Sequence, residues 1–182
     1  RVASLQGPPK AEIAAYQELS GVYQPGKLLD DLPQPVGPGQ EYTVGTLAPY
    51  IWGDQLETYS GTVADGHRAF QAALCIACHR MQGTGGTSGP DLSQIGSKFS
   101  GYDLVNTILS PNDQISDQYA NVLLELKDGR KAAGRIREEN DSTIVLMPNP
   151  FDPEQLMEID KSSVVERGIS PVSPMPPGLL NR

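Results

Sequence analysis

The chain has 182 residues, enough for one ordinary domain or a small domain with a large insertion and too few for a multi-domain enzyme. With 38% hydrophobic residues it can build a core, and its 19 Gly and 16 Pro stay below the roughly 25–30% that marks low complexity, so a folded, loop-rich protein is expected. A net charge of −8 leaves no basic patch for a phosphate backbone, which argues against nucleic acid, and every uncharged run is broken by Gly, Pro or Asn well short of a membrane span.

Pro8-Pro9 precede a short helical pattern over Lys10 to Leu19, with Ile13, Tyr16 and Leu19 on one face and Gly21 beyond its end. From Pro25 to Pro49 the density of Pro and Gly predicts an extended, surface-wrapping segment, so residues 1–61 read as an N-terminal arm. Asp65 and Gly66 open a second helical pattern, with Ala69, Phe70, Ala73 and Leu74 at helical spacing, running into Cys75. A loop of small residues follows from Gln82 to Pro90. Ser100 and Asp103 have capping-box spacing, and Leu104, Val105, Ile108 and Leu109 form an apolar stripe before Pro111 stops the helix.

After Tyr119 the period becomes extended. Val122, Leu124 and Leu126 share one face, and Asp128-Gly129 predicts a hairpin turn. Arg130 to Arg137 and Ser142 to Met147 read as two further strands across the polar turn Glu138 to Asp141, with Leu156 to Ile159 as a fourth. Ser170 to Gly178 is expected to be irregular, because Pro171, Pro174, Pro176 and Pro177 supply no backbone donors.

Both cysteines of the chain fall in Cys75-Ile76-Ala77-Cys78-His79, the C-x-x-C-H spacing of c-type haem attachment. Two residues between the thiols let each reach one vinyl group along one edge of a porphyrin, and the next histidine then reaches the iron. Three other readings compete. A disulfide closing so short a loop removes little chain entropy, a thioredoxin-type pair belongs beside a βαβ unit that is missing here, and zinc needs more ligands than two Cys and two His supply at this spacing. His67, two turns before Cys75, is expected to be exposed and structural. The sixth iron position points to methionine. Met81 follows His79 too closely to cross the ring, and Met157 sits in an expected strand. Met147-Pro148 and Met175-Pro176 remain, with Met175 favoured by its rigid, proline-rich run. No Ser, His and Asp form a triad pattern, and Asp30-Asp31 and Glu138-Glu139 read as solvated turns.

Cys75 to His79, Gly89-Pro90-Asp91-Leu92, Ile115 to Tyr119, Asp128-Gly129 with Gly134, and Ser173 to Leu180 together resemble the planctomycete/verrucomicrobial-type haem c-binding domain, a class I-like cytochrome c. The likeness runs from about Gly66 to the end. It implies a mainly α haem core with an inserted small antiparallel β unit, α+β overall, occupying residues 62–182 and interrupted at about 119–160. It implies one haem c on Cys75 and Cys78, His79 and Met175 as axial ligands, and a Pro90 carbonyl accepting a hydrogen bond from His79; a plain turn is the competing reading of Pro90. Relatives of this type continue into a C-terminal helix where this sequence stops at Arg182, and the Lys10–Leu19 helix is a candidate to fill that place.

The expected function is single-electron transfer between redox proteins, free or within a larger oxidoreductase, with a basic docking face on the partner. A haem enzyme or ligand sensor with an open sixth position is the alternative. The β unit is a third candidate feature, as a module that docks the protein onto its partner. Haem attachment to such thiols implies a periplasmic or other extracytoplasmic location, and since the stretch beginning Arg1-Val2-Ala3-Ser4 has no basic-then-apolar pattern, the export signal is expected to have been removed.

Overall fold

A computed structural model describes residues 41–52 and 62–181. The expected helix Lys10–Leu19 and the arm up to residue 40 lie outside these residues. Four helices and a five-stranded antiparallel sheet make the described fold α+β.

The end of the arm is helical where an extended segment was expected. Helix α1 spans Val44–Trp52. Its start is set by a reciprocal pair: the Thr46 amide donates to Thr43 Oγ1 (3.2 Å) and the Thr43 amide to Thr46 Oγ1 (2.9 Å). This satisfies otherwise orphaned donors as a capping box does, a local signal obscured by the surrounding Gly and Pro. α1 packs against α4 (Gly101–Leu109), and the Tyr42 amide donates to Asn181 Oδ1 at 3.0 Å in the terminal 3-10 turn Leu179–Asn181. α4 itself begins as expected, with Ser100 and Asp103 forming a full capping box.

Helix α2 (Val63–Ala72) starts upstream of the expected Asp65, because Thr62 is the cap and Asp65 its box partner. It also stops before Cys75. Leu74 adopts φ 62°, a left-handed conformation costing about 1–2 kcal/mol for a residue with a Cβ. Burial of its side chain, worth roughly 1.5–3 kcal/mol, offsets that cost and lets a separate turn, α3 (Cys75–Cys78), leave at a new angle. His67 is only 3% exposed, which corrects the expectation of an exposed histidine. It lies on the inward stripe of α2 with the half-buried Phe70, three residues on.

The sheet contains β3 (Val122–Leu126), β4 (Lys131–Glu139), β5 (Thr143–Met147), β6 (Met157–Asp160) and β7 (Val164–Ile169), in the order β6-β5-β4-β3-β7. The first four fall on the expected strands, except that β4 runs on through Glu138 and Glu139, which were expected in the turn. β7 was not foreseen, and it carries the sheet past the expected limit near residue 160 to Ile169. It lies at an edge, with Val165 and Ile169 mostly exposed, so it lacks the alternation that reveals a half-buried strand. β4 pairs with β3 through its first half and with β5 through its second, and the register slips between Ile136 and Glu138. That bulge bends the sheet around Val122, Leu124, Leu126, Ala132, Ile144, Leu146 and Ile159. Arg167 and Lys161 both meet Glu139 at 2.9 Å, joining β7 and the turn before it to the far end of β4, and they hold the Glu139 carboxyl below its ordinary range.

Candidate haem site

Directly after α3 the chain doubles back. β1 (Arg80–Met81) pairs with β2 (Thr84–Gly85) through a tight reversal at Gln82 and Gly83, both with positive φ. The expected loop of small residues is therefore a miniature hairpin. Backbone hydrogen bonds then fasten the segment after β2 to the cysteine turn and to β1: Gly86 N–H to Ile76 O (2.9 Å), Gly89 N–H to Cys78 O (2.7 Å) and Leu92 N–H to Arg80 O (2.8 Å).

Close approach explains the glycine at position 89. A Cβ there would lie 2.8 Å from His79 Cε1 and 2.9 Å from Nδ1, so the imidazole rests directly on bare backbone. His79 Nδ1 is 2.9 Å from Pro90 O. A carbonyl only accepts, so Nδ1 carries the proton and Nε2 keeps its lone pair. Burial holds the imidazole below its ordinary pKa, opposed in part by the Pro90 carbonyl, and the ring is therefore neutral at neutral pH.

Cys75 and Cys78 are free, partly buried thiols. Burial, reinforced by the nearby Cys78, pushes Cys75 up to about 11, with only its own backbone opposing. Burial also raises Cys78, with the neighbouring Ser88 hydroxyl opposing. Reactive dithiol pairs instead lower a thiol pKa, so these side chains are poor redox thiolates. Cys78 Sγ lies 3.8 Å from Pro150 O, which brings the β5–β6 loop to the cysteine turn.

The structure thus brings Cys75, Cys78, His79 and Pro90 into one unit. Met175 lies on a separate strap, partly buried, with its amide donating to Ser173 Oγ (3.1 Å) and the Ser173 amide to Asn112 Oδ1 (2.8 Å) just beyond α4. Among the other methionines, Met147 is 2% exposed at the end of β5 and Met157 is exposed on β6. Sequence reasoning missed the seat that Gly89 makes for the ring, and it missed Ser88 and Arg135, whose Nη1 donates to Ser88 O at 2.7 Å. Gly89 stood beside the quoted Pro90; Arg135 had no local signal at all.

A neutral imidazole with Nε2 available, two thiols one and four residues before it, and a glycine seat against the ring make a donor set that fits a c-type haem. Among the described residues no group of three or more His, Cys, Asp or Glu is placed to hold a metal ion. The sequence pattern of the family described as Cytochrome c matches residues 63–159. That span exceeds half of the chain, which belongs to the cytochrome c family. Proteins of this family bind c-type haem and generally act in electron transfer. No curated protein matches the chain. Among the described residues no helix is long and apolar enough to cross a membrane.

Proposed function

We propose that the protein is a mono-haem cytochrome c that passes single electrons between extracytoplasmic redox proteins, alone or as a subunit of a larger oxidoreductase. Cys75 and Cys78 would hold the haem through two thioethers, and His79 Nε2 would ligate its iron. The observation that carries this is the 2.9 Å contact of His79 Nδ1 with Pro90 O, because it fixes the ring and leaves one nitrogen for iron. Met175, on the strap after β7, would supply the second protein ligand to the iron. A haem bound there would supply a one-electron couple, and the Met175 thioether would raise its potential. The chain's part is to keep both ligands fixed: Gly89 seats the imidazole, Pro90 holds its proton, and Ser173 with Asn112 anchors the methionine strap.

The cytochrome unit covers residues 62–182 with the sheet inserted in it, behind an arm of residues 1–61. Membership of the planctomycete/verrucomicrobial-type branch is part of the same reading. It is supported by the Ser173–Leu180 block, which lies beyond the matched span.

The test is spectroscopic. Covalent haem is measured by the mass of the purified protein and by its pyridine haemochrome, with one haem per chain expected. The ferric protein should be low-spin with the long-wavelength charge-transfer band of a sulfur ligand. Met175→Leu should abolish that band and convert the iron to a high-spin form, while Met147→Leu keeps it. A wild-type ferric protein that is already high-spin would instead support a haem enzyme or sensor.

A further inference from the structure

We infer that Arg135, on the inserted sheet, is a positioning residue for the His79 imidazole; this rests on the haem reading above. Arg135 Nη1 donates to Ser88 O at 2.7 Å across 47 residues of sequence. The guanidinium carbon lies 4.4 Å from the centre of the Tyr119 ring, so the planar group is clamped between an aromatic face and a directed bond. Ser88 is 5% exposed and opens the segment that touches the ring.

Three consecutive residues then connect guanidinium to imidazole. Ser88 accepts from Arg135, Gly89 bonds Cys78 O and lies under the His79 ring, and Pro90 accepts from Nδ1. The mounting of Arg135 is stiff, because it pairs across the sheet with buried Met147 just before the β4 bulge. Its Nε is buried and makes no hydrogen bond among the described residues. The Pro150 carbonyl beside Cys78 is a second contact between the sheet's loops and the cysteine turn. The inserted sheet is thus a brace for the proximal loop, with Arg135 as its point of attachment.

Loosening Pro90 from His79 weakens the imidazole as a donor and raises the potential, whereas losing a nearby positive charge lowers it, so potential alone does not separate the two. The test uses the full chain with haem attached, confirmed first by the pyridine haemochrome; failure at that stage defeats the haem reading and not the brace. Arg135→Lys, Arg135→Met and Arg137→Gln are then compared with wild type. The readouts are the paramagnetically shifted His79 ring protons of the ferric protein and hydrogen exchange at the Gly89 amide. Both Arg135 variants should shift the ring-proton signals and speed Gly89 exchange by about tenfold, the equivalent of one lost hydrogen bond. Arg137→Gln removes a neighbouring exposed charge and should move neither. Arg135→Lys behaving as wild type in both readouts means that charge alone matters and overturns the inference, as does an unchanged Arg135→Met. Should Arg135→Met fail to take up haem, Arg135→Lys and Tyr119→Leu decide the matter by the same readouts, with shifts in both expected.

Discussion

At position 89 one absent methyl group decides where an imidazole sits. Gly89→Ala would put a Cβ against both Cε1 and Nδ1 of His79, and neither that ring nor the Gly89 backbone, bonded to Cys78 O, yields without breaking something. Overpacking of this kind costs about 1–3 kcal/mol. We expect Gly89→Ala to lower unfolding free energy by that amount in urea and to disturb the low-spin ferric spectrum; a variant with wild-type stability and spectrum would show that the loop relaxes freely. Residues differ in how well the sequence announces them. Cys75, Cys78 and His79 are legible because their chemistry depends on spacing along the chain. The Pro90 carbonyl is legible only through family likeness, since any carbonyl accepts. Arg135 is not legible, because its partner is a backbone oxygen 47 residues away.

Among the elements, those with a strong local rule were readable. Ser100 and Asp103 cap α4, and the alternation of β3 to β6 follows a buried face. β7 escaped because its residues are exposed almost throughout, so no buried face marks it, and α1 because its Thr43–Thr46 pair lies among breakers. The break at Leu74 escaped too, since left-handed backbone is unexpected at leucine. α2 offers a test. His67 sits on its inner stripe, and burial lowers the pKa from the ordinary 6.5. The unfolded chain therefore takes up this proton at a higher pH than the folded chain does. The contribution of His67 to stability is complete above about 6.5 and declines as pH falls through the lowered folded value. Unfolding free energies of wild type and His67→Gln, measured across that range, should converge as the pH drops. Parallel curves would place the histidine in contact with solvent.

For the molecule as a whole, the small number of aromatic residues, 6%, fits a core divided between two modest bodies. The sheet closes around its own aliphatic cluster, and a haem held at Cys75 and Cys78 would add a flat, apolar body beside the helices. Charge acts at this scale too. A net −8 sets the long-range field that a redox partner meets before any contact forms. Such a field is screened over about 10 Å at 0.1 M salt, so its sign is read from the salt dependence of the rate. Oxidation of the ferrous protein by a cationic cobalt complex should slow as salt is added, because attraction is screened. Oxidation by ferricyanide should quicken over the same range, because repulsion is screened. The two slopes having opposite sign is the essential result: it ties the acidic surface to the approach of a basic partner, and salt-independent rates with both reagents would mean that the acidic groups lie away from the point where electrons leave.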